Sequence, residues 1–228
     1  MFEEFSNRNR AIRAALELAA ERGWSEVTFP AIAERTGLSL ADLRRDFTCK
    51  TDILRKFQAE VDAEVLRKLG PAGPEQNPRD RLFDVIMTRF EAMAPFKPGL
   101  ERVFPAICCH PSDSAALLCS TLASQYWMLV GAGAKVDGPG AGLRVAGLTA
   151  IYAKVFRTWL NDSSPGLDHT MAALDRRLRR GEEWLRNFES VCRLACGLMP
   201  RGWRRDEPEA GREPPPAPAR PAPGPAGV

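Results

Sequence analysis

The stretch Thr28–Lys50, T-F-P-A-I-A-E-R-T-G-L-S-L-A-D-L-R-R-D-F-T-C-K, decides how the rest of the chain is read. Thr28 is an N-cap residue whose hydroxyl can accept from a backbone N–H one turn on. Pro30 falls in the first helical turn, where its missing N–H costs little. Gly37 closes that helix as a C-cap. Ser39 opens the next, with Asp42 as its capping-box partner. Leu43 and Phe47 stand at i and i+4, which predicts one buried face. Ala41, Asp42, Arg44 and Arg45 fall on the opposite face. Two short helices, a glycine turn and an exposed outer face on the second helix make a helix-turn-helix.

Upstream, the spacing predicts a helix from about Asn7 to Arg22. Ile12, Ala15, Leu16 and Ala19 share one face; Arg8, Arg10, Arg13 and Glu17 share the other. Gly23 stops it, and Trp24 and Val27 are expected to pack against the next two helices. None of these helices is long enough to stand alone, so they are expected to form a small bundle. Downstream, a longer helix begins at Thr51 or Asp52, with Ile53, Leu54, Phe57, Val61, Val65 and Leu69 as its buried stripe. Gly70–Pro78 reads as a loop.

The second half is apolar at helical spacing. Asp80–Met93 is a helix that Pro95 and Pro98 are expected to end, and Leu100–Ile107 is a short apolar one. Ser114–Ala134 is apolar enough to suggest a membrane span, but Ser120, Thr121, Ser124 and Gln125 interrupt it, so a buried core helix is expected. Gly131–Gly142 matches neither phosphate-loop pattern and reads as a turn. Leu143–Leu160 is another helix, broken at Asn161–Pro165. The last helix is expected over Glu182–Met199, with Trp184, Phe188, Val191, Ala195 and Leu198 in one stripe. That stripe suits a core or dimer seam; the basic run Arg201, Arg204 and Arg205 also suits a membrane surface. Asp206–Val228 is Pro-, Ala- and Gly-rich and is expected to be disordered.

Composition agrees with an all-α chain. With 228 residues, 44% of them hydrophobic, the chain can bury the core of one or two domains. Two tyrosines and few β-branched runs argue against a sheet. A net charge of +3 permits a nucleic-acid partner without demanding one. Phe2, Glu3, Glu4 and Phe5 are wrong for a signal peptide, so a cytoplasmic, reducing setting is expected. Cys108 and Cys109 are adjacent, and Cys192 and Cys196 lie one turn apart. With only His110 and His169 beside them, no zinc spacing appears, and the six cysteines are expected to be small buried apolar residues. No metal site and no cofactor is expected.

The pattern A-x-x-L-x-x-x-x-G-W-x-x-x-T over Ala15–Thr28, then I-A-x-x-T-G-L-S, then L-x-x-x-F-x-x-K-x-x-I-L over Leu43–Leu54, resembles the TetR family of bacterial one-component repressors. The resemblance covers about the first quarter of the chain. It implies a TetR-like fold with a helix-turn-helix DNA-binding domain at 1–57, a helical regulatory and dimerisation domain at 58–200 and a tail at 201–228. Carried onto these residues, it implies double-stranded DNA contacts from Thr28, Ser39, Leu40, Ala41, Arg44, Arg45 and Lys50, with Lys50 on phosphate. Charge tells against this. Residues 1–57 hold ten Lys or Arg against nine Asp or Glu, and Ser39–Phe47 is neutral overall. Arg44 stands where the family often has tyrosine, and Asp46 where a neutral or basic residue is common.

A second resemblance lies downstream. S-S-P-G-L-D-H-T-M-A-A-L-D-R-R-L over Ser163–Leu178, with Tyr152 and Trp159 before it, is similar to the accessory proteins of ubiquinone (coenzyme Q) biosynthesis, which share the TetR-like fold and bind isoprenoid lipid. D-R-L-F-D-V-I-M-T-R-F fits them too.

Two functions follow as expectations. One is a homodimeric regulator, a repressor released by a hydrophobic small molecule or lipid held near Phe90, Leu118, Leu122, Trp127, Tyr152 and Phe156. The other is a lipid-binding accessory protein with a relic helix-turn-helix and a peripheral membrane contact through the last helix. No ordered His/Asp/Ser set, metal spacing or phosphate loop is present, so no catalytic residues are expected and the chain is not read as an enzyme.

Overall fold

Caps and turns set the first helices of the computed structural model, which describes residues 6–70, 77–134, 136–138 and 140–198, with side chains as far as Glu183. Helix α1 (Asn7–Arg22) leads through a single 3-10 turn at Trp24–Glu26 to α2 (Phe29–Thr36) and α3 (Leu40–Asp46). Thr28 Oγ1 accepts from the Ala31 N–H at 3.3 Å. Gly37 takes φ 72°, a left-handed conformation costly to any side chain, and its N–H donates to the Ala33 carbonyl at 2.8 Å. The capping box is complete: Ser39 Oγ accepts from Asp42 N at 3.1 Å, and Asp42 Oδ2 accepts from Ser39 N at 3.2 Å.

The remaining helices are α4 (Lys50–Lys68), α5 (Pro78–Met93), α6 (Lys97–Cys108), α7 (Pro111–Gly131), α8 (Ala141–Leu160) and α9 (Asp168–Leu198), with a 3-10 turn at Ala94–Phe96. The fold is all-α, and no strand occurs among the described residues. The chain divides into two units, Met1–Asn187 and Phe188–Val228, and every packing statement below concerns the first. The stripe Trp184 to Leu198, the basic run from Arg201 and the Pro-rich tail lie outside the described side chains.

Helix α1 packs on α2, α4 and α6. At the α1–α6 crossing Gly99 meets the backbone of Leu16. A Cβ at Gly99 would collide with the Leu16 carbonyl oxygen and lie 3.0 Å from its carbonyl carbon. Only glycine lets the two backbones approach this closely.

The α8–α9 connection is held by one carboxylate. Asp162 is buried and accepts from Ser164 N (3.1 Å), Ser164 Oγ (2.6 Å), Thr170 N (2.8 Å) and Thr170 Oγ1 (2.7 Å). It thereby satisfies a first-turn N–H of α9. Burial opposes its ionisation, but these donors outweigh burial and hold its pKa well below the usual carboxylate value.

Several expectations need correction. Pro98 does not end α5; it sits in the first turn of α6, where no N–H is needed. Helix α4 starts at Lys50, one residue early. The last helix begins at Asp168 rather than Glu182, because no proline interrupts it and Gly181 packs under Ile151. Cys49, Cys108, Cys109 and Cys119 are exposed, not buried.

Helix α7 is the largest departure. Its buried residues include Ser124 and Gln125, while Leu118 is 53% and Trp127 51% exposed, with Tyr126 and Val130 also outward. Polar pairing with α4 fixes this rotation. Thr51 Oγ1 donates to Asp113 at 2.9 Å, Ser120 Oγ donates to Gln58 Oε1, Gln58 Nε2 donates to Thr121 Oγ1 at 3.1 Å, and Ser124 Oγ donates to Asp62 at 2.9 Å. Ser120, Thr121 and Ser124 find their partners on α4, while the buried Gln125 amide has none among the described residues.

Candidate nucleic-acid interface and ligand cavity

The outer face of α3 presents Leu40 (54% exposed), Ala41, Arg44 and Arg45. Arg44 makes no ion pair or hydrogen bond among the described residues. Arg45 pairs with Asp42, whose pKa is lowered chiefly by the Ser39 hydroxyl and then by the Ser39 backbone N–H. Asp46 accepts from Arg8 Nε of α1 at 3.3 Å, so its charge is compensated from behind the helix. Thr28 and Ser39 are exposed caps at the starts of α2 and α3.

Lys50 is placed differently from the other cations. Its Nζ donates to the Trp24 carbonyl and to that of Ser25 at 3.3 Å, and lies 4.6 Å from the Trp24 ring centre. Burial lowers its pKa. It ties the start of α4 to the 3-10 turn. On α2, Arg35 grips Glu21 of α1 with two bonds of 3.0 and 2.7 Å, and Arg10 donates to the Thr36 carbonyl at the end of α2. The charges of the supporting helices are thus taken up by partners within the bundle.

Between α4, α5, α6, α7 and α8 lies a cavity of about 250 Å³. Leu54 and Phe57, Leu100 and Val103, Leu117 and Leu118 form much of its apolar wall. Tyr152 and Phe156 also line it. Phe90 lies behind, stacked on Tyr152 with centroids 5.6 Å apart and on Trp159 at 5.4 Å. Leu122 and Trp127 are not on its wall. Three of the six residues expected at a ligand, Leu118, Tyr152 and Phe156, therefore come together.

Sequence reasoning missed the polar group at this cavity. Arg89 is wholly buried and lines it. Its Nη1 donates to Asp62 of α4, and its Nε donates to the Tyr152 hydroxyl at 3.1 Å. Helical spacing held the signal, because Arg89 falls between Ile86 and Met93 on the inward face of α5. A second cavity, about 630 Å³, lies among α5, α7, α8 and α9. Leu82, Leu129, Leu148, Ile151 and Leu178 line it, with Arg79 and Glu182 paired at its rim at 3.6 Å.

Residues 11–57 match the family model of bacterial regulatory proteins, tetR family. The fold is TetR-like. It superposes on the crystal structure of a TetR transcriptional regulator from Nitrosomonas europaea with a TM-score of 0.64 and 23% identity, covering 78% of this chain and 98% of that one. A TetR transcriptional regulator from Rhodococcus sp. RHA1 gives 0.51 and 21%, over 78% and 97%. Residues 144–183 match the COQ9 family model. That segment supplies Leu148, Ile151, Leu178 and Glu182 to the larger cavity. No curated protein matches the chain. No described helix is long and apolar enough to cross a membrane.

Proposed function

We propose that this chain is a TetR-type DNA-binding regulator, a repressor that acts as a homodimer and leaves DNA when a hydrophobic small molecule occupies its helical domain. Residues 1–57 are the DNA-binding domain and 58–200 the regulatory and dimerisation domain. The observation that carries the reading is the outer face of α3: a rigidly capped helix with Leu40, Ala41, Arg44 and Arg45 exposed and Asp46 compensated by Arg8. Arg44 reads a base edge or clamps phosphate, since arginine does both. Thr28 offers its hydroxyl to the backbone, whereas Ser39 reaches a phosphate only by leaving Asp42, to which its hydroxyl and N–H both donate. Lys50 reaches a phosphate only by leaving the Trp24 carbonyl. Two copies place their recognition helices about 34 Å apart, one turn of the duplex. Ligand acts by binding one state of the dimer better than the other.

Selection of bound fragments from the sheared source genome, repeated over a salt series, tests this. A discrete inverted repeat is expected, with affinity falling in salt. Arg44→Ala is expected to weaken specific binding about tenfold or more, the worth of one good arginine contact. Weak, sequence-blind binding sinks the regulator.

A second reading is favoured by the COQ9 match, which falls on the walls of the larger cavity. Here the chain is a lipid-binding accessory protein of ubiquinone biosynthesis, touching membranes through its last helix. Lipid extracted from the purified protein, with liposome association that deletion from Glu182 onward abolishes, is expected on this reading. Association that survives the deletion removes the anchor.

A further inference from the structure

The guanidinium of Arg89 has three nitrogens, of which two are engaged. Nε serves the Tyr152 hydroxyl and Nη1 serves Asp62, whereas Nη2 is buried and makes no hydrogen bond among the described residues. A buried donor without an acceptor is costly. The other polar side chains on the wall of the smaller cavity are occupied. Gln58 is bonded to Ser120 and Thr121, Ser114 Oγ donates to the Ile107 carbonyl at 2.8 Å, and Thr149 Oγ1 donates to the Val145 carbonyl at 2.8 Å. The Tyr152 hydroxyl accepts from Arg89 and faces Met93 Sδ at 3.8 Å.

Charge narrows the acceptor. Arg89 is the one charged residue on the described wall, and Asp62 already neutralises it. A carboxylate ligand would be a second anion on one guanidinium, with no further cation to compensate its desolvation. An uncharged oxygen fills the donor without that cost. Size narrows the body: about 250 Å³ lies below the usual ~300–1,000 Å³ of ligand pockets, so the molecule is compact.

We propose that this cavity takes a small apolar molecule carrying one uncharged oxygen acceptor, such as a ketone, ester, lactone or quinone carbonyl, which receives the free Arg89 Nη2 hydrogen. The proposal rests on the regulator reading for its purpose and on the cavity alone for its chemistry. Arg89 links the ligand to Asp62 on α4 and to Tyr152 on α8, so the bound oxygen bears on the helix that follows the DNA-binding bundle.

The test uses the full-length chain and three probes of matched length: 2-octanone, octane and octanoate. Their affinities are read by equilibrium dialysis of each probe against the protein. In the wild type, 2-octanone is expected to bind about tenfold tighter than octane, the effect of one charge-assisted hydrogen bond. In Asp62→Asn/Arg89→Met, which leaves no charge buried alone and keeps an acceptor for Ser124, the ratio is expected to fall below one, because the ketone then buries a carbonyl with no donor. Equal affinity for ketone and octane in the wild type overturns the anchor. So does a preference that survives the double variant, or no binding of any probe. Octanoate binding tighter than the ketone overturns the uncharged acceptor.

Should the double variant fail to fold, the carbonyl 13C resonance of 2-octanone on the wild-type protein decides. A resonance downfield of its position in octane supports the hydrogen bond, and a resonance at the octane position overturns it. The fragment selection runs on the same preparation. A selected DNA site with no ketone preference keeps the regulator and loses the anchor; ketone preference without a selected site does the reverse.

Discussion

The bundle of α1–α3 and the α4–α8 core handle polar groups in opposite ways. In the bundle, charged side chains close the structure on itself. Arg35 holds Glu21, Arg8 holds Asp46, Arg10 satisfies the end of α2, and Lys50, the first residue of α4, is drawn onto the Trp24 carbonyl of the bundle. All of this lies near the surface and supports a fixed shape. In the core, the polar groups are buried and incompletely matched. Arg89 retains a donor, and the fully buried Gln125 amide has no hydrogen-bond partner among the described residues. Surface ion pairs contribute little each, whereas buried ones raise the cost of every missing partner. One region is therefore built to be presented unchanged, and the other is sensitive to whatever completes it.

The comparison breaks most severely at Arg89. Arg89→Met leaves the buried Asp62 carboxylate without its cation, and is expected to cost about 4 kcal/mol in urea unfolding. Asp62→Asn/Arg89→Met is expected to return most of that, because removing both charges is far milder than removing one. If the single variant cost no more than the double, the core pair would be no more sensitive than a surface pair.

Gly99→Ala tests the join between the regions. Its Cβ meets backbone and not a flexible side chain, so a loss of about 3 kcal/mol is expected from thermal or urea unfolding. Asp162→Ala probes the core again and is expected to cost about 2 kcal/mol at pH 7 through lost charge-assisted bonds. The folded pKa of Asp162 lies below its unfolded value of about 3.9. Its contribution is therefore complete above that pH and fades as pH falls through the folded value. Unfolding midpoints should show a smaller gap between variant and wild type at pH 3 than at pH 7. Ser39→Ala is the mildest, with about 1 kcal/mol expected from a lost N-cap. Its effect on DNA affinity should be small if the hydroxyl only caps, and large if it also touches phosphate.

How far the sequence foretold each region follows from the range of the interactions. Thr28, Gly37, Ser39 and Asp42 act on neighbours within four residues, so their roles were legible. The orientation of α7 was not, because hydropathy alone favours burying Trp127 and Leu118. The partners that turn Ser120, Thr121 and Ser124 inward sit on α4, some sixty positions earlier. Arg89 was readable in part, since its place on the inward face of α5 marks a buried charge, but Asp62 could be named only from the fold. Of the residues expected at the ligand, those on α8 follow from one helix's periodicity. Leu122 and Trp127 depended on the rotation of α7.

Gly99 gives the molecule a mechanical property. Side chains at most helix crossings act as compliant spacers, and a change of rotamer can absorb an ångström of travel. At Gly99, on the α1–α6 crossing, there is no spacer, only backbone against backbone. The next residues of α6, Leu100 and Val103, form part of the wall of the smaller cavity. Any displacement that starts at that wall therefore reaches α1 with little slack to take it up.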